Sequence, residues 1–190
     1  MSRTVIRPLE PERLADYLDF FDNRAFTDNP KWASCYCYFP YHDPKAPPPW
    51  QQRSAADNRQ AVCACIEAGR AQGFLAYDAE RVVGWCNSAP KLRYPMLTYL
   101  NDPDAAEQGC IFCFVIAPTH RRQGIARALL DAACAGLAAQ GLRWAEALPS
   151  REAKNAAQNY HGPLEMYLAA GFSIVREEAD GRVLVRRRLD

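Results

Sequence analysis

Ile116-Ala117-Pro118-Thr119-His120-Arg121-Arg122-Gln123-Gly124-Ile125-Ala126 is the stretch on which the reading of this chain turns. It follows Cys110 to Ile116, a nearly continuous apolar and aromatic run of the kind expected for a central strand covered on both faces. It leads into Gly124 to Ala139, an alanine-rich helical stretch whose small side chains let it approach a sheet closely. A strand that ends at Pro118, a loop with two arginines and a glycine, and a helix together make an anion site. The first amides of a helix have no partners within it, and the macrodipole adds partial positive charge at the same end. Gly124 lacks the Cβ that would hold a phosphate off the backbone, and Arg121, Arg122 and Arg127 add charge. A plain strand-to-helix connection with solvated arginines has the same local pattern, so the stretch needs support from elsewhere in the chain.

That support comes from Tyr167-Leu-Ala-Ala-Gly171-Phe172, which resembles the Y-x-x-x-G-F segment of the GNAT superfamily of N-acetyltransferases. Arg121-x-x-Gly124-x-Ala126 matches the R/Q-x-x-G-x-G/A signature with which that superfamily holds the pyrophosphate of coenzyme A, and the strand ending Ile116-x-Pro118 looks like its fourth strand. The resemblance runs from about Val82 to the C-terminus, and an N-terminal strand and two helices also fit. It implies an α/β fold with a mixed, mostly antiparallel sheet of about seven strands and helices on both faces. It further implies acetyl-coenzyme A as cosubstrate; the length fits one acyltransferase domain over 1–190, and the cysteine spacings favour small buried thiols and no metal. The strand end Phe114, Val115 and Ile116 would lie along the cofactor, with the Ile116 backbone pairing with the pantetheine arm and polarising the thioester carbonyl. The backbone N–H groups of Arg122, Gln123, Gly124, Ile125 and Ala126 would cradle the pyrophosphate, and Tyr167 would face the sulfur.

Tyrosine suits a hydrogen-bonding role there better than full proton transfer. A free phenol titrates near 10 and a thiol near 8.5, so complete transfer to the departing thiolate is uphill by roughly 2 kcal/mol. Stabilising the thiolate by a hydrogen bond is the cheaper course. The attacking amine is harder to serve, because neutralising a lysine-like ammonium at pH 7 costs about 4.6 kcal/mol and calls for a base or a water wire. Many family members place a carboxylate on the fourth strand, and this chain has none between Cys110 and Ile116. Glu146, on the next strand, is the substitute by position, with a solvent-facing strand residue as the plain alternative. A second departure is Tyr160-His161-Gly162-Pro163 where the family often has Asn-x-x-Ala; His161 is then either a base or a surface loop histidine. His120 and His42 read as plain surface groups.

Around this centre the chain divides into short elements. Thr4 to Arg7 reads as a strand stopped by Pro8, and Leu14, Tyr17, Leu18 and Phe21 mark one side of an amphipathic helix. Phe26 to Trp50 holds seven aromatics and six prolines. A segment so aromatic is not a disordered linker, and we expect an ordered lid over about 26–50. A helix is expected from about Gln51 to Ala68, then a hairpin of Gly73–Tyr77 and Arg81–Asn87, with Ala89 to Gln108 irregular. Arg143–Leu148 reads as a strand, Leu164–Ala170 as a short helix, and Ile174–Glu178 with Arg182–Leu189 as a closing hairpin. Between the lid and the strand bearing Trp85, the aromatics Trp32, Tyr36 and Tyr38 with Trp85 would wall an acceptor pocket; equally, they would only anchor the lid.

Composition sets bounds on partners. The 190 residues carry 23 basic and 22 acidic side chains, a net charge of +1 that gives no bulk reason to expect nucleic acid or an anionic membrane. The longest strongly apolar run is the eight residues Cys110–Ala117, far short of the about 20 a membrane helix needs. With no signal-peptide core, the expected location is cytoplasmic and the eight cysteines are expected as reduced, mostly buried thiols. The expectation is therefore an N-acetyltransferase acting on a small-molecule or peptide amine, with a homodimer left open. Alternatives are another acyl donor, a coenzyme A-binding sensor without turnover, and a cysteine-rich metal-binding module.

Overall fold

A computed structural model describes residues 4–100, 102–152 and 159–189. Seven strands, β1 (Val5–Pro8), β2 (Gly73–Asp78), β3 (Arg81–Pro90), β4 (Gln108–Ile116), β5 (Trp144–Ala147), β6 (Ser173–Glu177) and β7 (Val183–Arg188), form one sheet in the order β1-β2-β3-β4-β5-β7-β6. Every pairing is antiparallel except β4 with β5. Four helices, α1 (Leu14–Asn23), α2 (Ala55–Glu67), α3 (Ile125–Ala139) and α4 (Leu164–Leu168), complete the frame. This is the mixed, mostly antiparallel sheet expected from the sequence.

The two faces are covered by different helices because each strand sends alternate side chains to opposite sides. On one face Tyr17, Phe20 and Phe21 of α1 and Val62, Cys65 and Ile66 of α2 pack with Leu75, Trp85 and Val115. On the other, Leu129, Leu130, Ala133 and Leu137 of α3 pack with Ala76, Ile111 and Phe114, and α4 adds Leu164 and Tyr167. Each fully buried aliphatic or aromatic side chain in these layers stabilises the fold by about 1.5–3 kcal/mol.

Element ends moved where local chemistry outweighed periodicity. α2 starts at Ala55 rather than Gln51, because Ser54 caps it: the Ser54 hydroxyl accepts from Asp57 N and the Asp57 carboxylate accepts from Ser54 N at 2.8 Å. Trp50–Gln52 forms a separate 3-10 turn. Pro8 closes β1 instead of standing outside it, and β1 is an edge strand, where a missing donor is tolerated. β3 continues to Pro90, past the expected end at Asn87, through a bulge between Asn87 and Ser88.

Segment 26–50 is a strap of 3-10 turns at Pro30–Cys35, Phe39–Tyr41 and Trp50 onward, fixed to the body by side chains. Tyr17 Oη donates to Tyr36 O at 2.8 Å, Asn58 Nδ2 to Ser34 O at 2.9 Å and Tyr41 Oη to Asn87 Oδ1 at 2.9 Å. All eight cysteines are free thiols, and no helix among the described residues is long and apolar enough to cross a membrane.

Candidate active site

β4 and β5 pair only from Gln108–Ile111 against Trp144–Ala147, and beyond that rung the strands separate. The gap opens on the last residues of β4. The chain segment after residue 158 enters it: Phe114 N donates to Tyr160 O at 2.6 Å, and His161 Nδ1 lies 2.5 Å from Phe112 O. Gly162 makes this entry practicable, since its φ is +85° and a Cβ there would press on Met166, Tyr167 and Phe114. Backbone groups alternate in direction along a strand, so Phe114 and Ile116 turn their N–H groups toward the same gap.

At the far end of β4 the loop expected to bind an anion takes an unusual backbone. Arg122 has φ +59° and Gly124 φ +80°, and α3 begins at Ile125 with no side chain capping it. Left-handed residues alternating with ordinary ones turn successive N–H groups inward, which makes an anion-binding concavity. A Cβ built on Gly124 would meet nothing within 4 Å, so space stands open over the loop. These features fit a pyrophosphate. The arginines are less uniformly available than the sequence suggests. Arg121 donates through Nε to Ile116 O at 3.2 Å and grips Asp28, with Nη2 at 3.1 Å from Oδ1. Arg127 is turned to Asp131 at 3.0 Å and to Ala169 O at 3.1 Å. Gln123 Nε2 donates to Thr119 O at 3.2 Å, closing the loop on itself.

Tyr167 is fully buried, with its ring edge-on to Phe172 at 5.1 Å and to Phe114 at 6.4 Å. Its hydroxyl donates to His161 O at 2.7 Å. His161 is not the surface group its loop position allowed. It is buried between Phe112 and Tyr160, and burial depresses its pKa to about 4, so the ring is neutral at physiological pH. A carbonyl only accepts, so the contact with Phe112 O places the proton on Nδ1 and leaves Nε2 with its lone pair.

Glu146 is not solvent-facing. It is 3% exposed, and both carboxylate oxygens are taken: Oε2 accepts from Lys91 Nζ at 3.0 Å and Oε1 from Arg186 at 2.7 Å. With both oxygens engaged, Glu146 is built into an ion cluster rather than presented to a substrate. Lys91 Nζ also reaches Asp102 and Gln108, each at 2.6 Å. Burial alone would lower the Lys91 pKa, but the carboxylates of Asp102 and Glu146 outweigh it and raise it. Lys91, Asp102 and Gln108 carry no signal in the sequence. Lys91 follows Pro90 in a stretch that reads as irregular, and only the fold carries it beneath β5.

Of the expected acceptor walls, Trp32 is placed on a cleft of about 570 Å³ that it shares with Ser150, Arg151, Tyr160, Asp180 and Arg182. Its ring lies 5.4 Å from that of Tyr160, and no residue of the Gly124 loop lines the cleft. Trp85 is 1% exposed and edge-on to Tyr17, a core residue rather than a wall. Its strand alternation could not tell which face would be covered. Tyr36 donates to Asp22 Oδ1 at 2.7 Å, and Tyr38 carries the Arg53 guanidinium 4.9 Å from its ring centre, so both anchor the strap. Among the described residues no cluster of three or more His, Cys, Asp or Glu side chains is gathered as for a metal ion.

Solved structures of the same fold cover nearly the whole chain. One is yncA of Salmonella typhimurium, in a structure with its cofactor acetyl-CoA: 14% identity over 100% of this chain and 95% of that one, TM-score 0.61. A second is the PaiA N-acetyltransferase of Thermoplasma acidophilum in complex with coenzyme A, at 10% identity, 98% and 99% coverage and TM-score 0.59. A third is the ribosomal-protein-S18-alanine N-acetyltransferase of Escherichia coli, at 16% identity, 99% and 95% coverage and TM-score 0.52. No curated protein sequence matches the chain. The sequence profile described as the acetyltransferase (GNAT) family matches residues 31–162, a span that includes β4, the Gly124 loop and His161. With that match over more than half its length, the chain belongs to the acetyltransferase (GNAT) family, whose members transfer acetyl groups from acetyl-CoA.

Proposed function

We propose that this protein transfers an acetyl group from acetyl-CoA directly to a primary amine of a small molecule or peptide. The observation that carries the reading is the Gly124 loop, left-handed at two residues and open above, joined to the β4 end where the sheet splays. Backbone N–H groups from Arg122 to Ala126 bind the pyrophosphate, and the β4 end Phe114–Val115–Ile116 takes the pantetheine arm. Arg121, Arg122 and Arg127 supply charge around the loop. Acetyl-CoA brings the acetyl group as a thioester.

Trp32 and Tyr160 form the wall of the acceptor cleft and segment 26–50 is its lid. His161 is the proton acceptor, through Nε2. A base with a pKa of about 4 cannot prepare a free ammonium near 10.4, because that transfer costs about 9 kcal/mol. The amine attacks from its neutral fraction, its first proton lost to solvent. His161 takes the second proton as the carbon–nitrogen bond forms and the nitrogen becomes far more acidic. Tyr167 turns its hydroxyl from His161 O to the departing thiolate. Glu146 holds Lys91 and Arg186 behind the splay as a positioning residue.

The test is an amine and peptide panel with acetyl-CoA, read by mass spectrometry. Acetylated product from at least one amine supports the proposal. Coenzyme A binding with no transfer across the panel favours a sensor, and a different mass gain with other acyl donors would replace acetyl by another group.

A further inference from the structure

Two thiols from distant parts of the chain, Cys37 and Cys113, belong to one apolar cluster on the strap side of β4. Cys37 follows Tyr36, and both are left-handed, at φ +49° and +46°. Consecutive non-glycine residues in that region are strained and persist only where their surroundings hold them. Here Tyr17 Oη binds Tyr36 O at 2.8 Å and Asn87 Nδ2 binds Cys37 O at 3.3 Å. Asn87 stands directly opposite Cys113 in the β3–β4 register. Opposed residues send their side chains to the same face side by side, so the grip of Asn87 on Cys37 sets Cys37 over Cys113. The neighbouring Cys113 and burial push the Cys37 thiol well up. Cys37 is buried, while Cys113 is half-buried at the margin of the same apolar cluster. Trp32, five residues before Cys37 on the same strap, lines the cleft.

We propose that Cys37 and Cys113 are a peroxide-sensitive thiol pair whose disulfide ties the strap to β4 and suppresses acceptor turnover. Cys113, the more accessible thiol, attacks hydrogen peroxide as its thiolate; a sulfur–oxygen bond forms, the peroxide bond breaks and hydroxide leaves. The Cys37 sulfur then displaces hydroxide from the sulfenic acid, and its proton leaves in water. In sum the thiols lose two hydrogens and the peroxide becomes two waters. The link fixes Trp32 through the strap at the moment an acceptor needs to enter. Thiol pairs of reducing compartments that do oxidise are commonly transient and sensing.

The turnover half of this proposal rests on the acceptor reading given above; the pairing half does not. The test treats the full-length protein with stoichiometric hydrogen peroxide and maps unreduced peptides by mass spectrometry. A Cys37–Cys113 cross-linked peptide is expected, lost in Cys37→Ser and in Cys113→Ser and kept in Cys63→Ser, whose thiol lies on α2. The oxidised protein is expected to lose roughly tenfold or more in acceptor kcat/KM, regained with dithiothreitol, with coenzyme A affinity within about twofold. Sulfinic acid, or pairs involving Cys35 in place of this link, would overturn the pairing. The link with unchanged acceptor kcat/KM would overturn the switch. Were no acetyl transfer found at all, peptide mapping would still decide the pairing, so failure of the acceptor reading is told apart from failure of the pair.

Discussion

The Tyr167 hydroxyl donates to the His161 carbonyl at 2.7 Å, so the residue proposed to meet the leaving sulfur also fixes the segment that fills the splay. Tyr167→Phe removes only that hydroxyl and keeps the ring between Phe114 and Phe172. If the hydroxyl acts in the transition state, the single-turnover rate falls roughly a hundredfold with coenzyme A affinity little changed. A loss of about 1 kcal/mol in stability accompanies it, from the missing hydrogen bond. A rate within about threefold of wild type, with the stability loss alone, would leave Tyr167 a structural residue.

Burial of His161 makes the fold sensitive to acid. Its folded pKa, about 4, lies below the unfolded value near 6.5. Above the unfolded value the neutral ring is free of penalty in both states. Below it the unfolded chain takes up a proton that the folded one resists, so stability is lost as pH falls from 6.5 through 4. The full difference amounts to about 3 kcal/mol. Urea titrations of wild type and His161→Phe across that window should show a shallower decline in the variant, whatever its stability at pH 7. Parallel declines would mean that His161 is not the group responsible.

Trp32 and Tyr38 sit on one strap and should behave differently. Trp32 lines the cleft, whereas Tyr38 carries Arg53 against its ring at 4.9 Å. Trp32→Ala should raise the acceptor KM several-fold with little change in melting temperature. Tyr38→Ala should cost about 0.5–1 kcal/mol and leave the acceptor KM near its starting value. The reverse pattern would move the acceptor away from the Trp32–Tyr160 wall.

Lys91→Met would strip Asp102, Gln108 and Glu146 of their shared cation. Breaking one side of a buried ion cluster typically costs 3–5 kcal/mol, and we expect about 3 kcal/mol because Arg186 still holds Glu146. Adding Glu146→Gln should restore part of that loss, a coupling read from denaturant melts of the four proteins in the cycle. Additive effects would separate Lys91 from Glu146.

The parts legible in sequence were those where a local rule and a local structure coincide. Proline, then arginines, then a glycine before an alanine-rich run name a strand end, a loop and a helix start, and β4 and α3 lie there. What escaped depends on residues far apart in the chain. Arg121 reads as a free cation, yet its partner Asp28 lies 93 positions away. Glu146 reads as a strand residue of unknown face, and its partners come from the segment after β3 and from β7. Trp85 and Trp32 are alike as letters, and only packing separates a core side chain from the wall of a cleft. His161 owes its burial to Gly162 and to the gap between β4 and β5, neither of which a loop motif reveals.

A calorimetric titration of coenzyme A into wild type, Gly124→Ala and Gly124→Glu decides whether the Gly124 loop holds the cofactor. Both variants place a Cβ at φ +80° and share the strain, about 1 kcal/mol of stability, so their difference isolates what the side chain does in the open space above the loop. We predict that wild type binds, that Gly124→Ala binds more weakly, and that Gly124→Glu, folded by circular dichroism, shows no measurable heat of binding because its carboxylate occupies the anion site. Near-native affinity in Gly124→Glu would contradict the placement of the cofactor and, with it, the mechanism built on it.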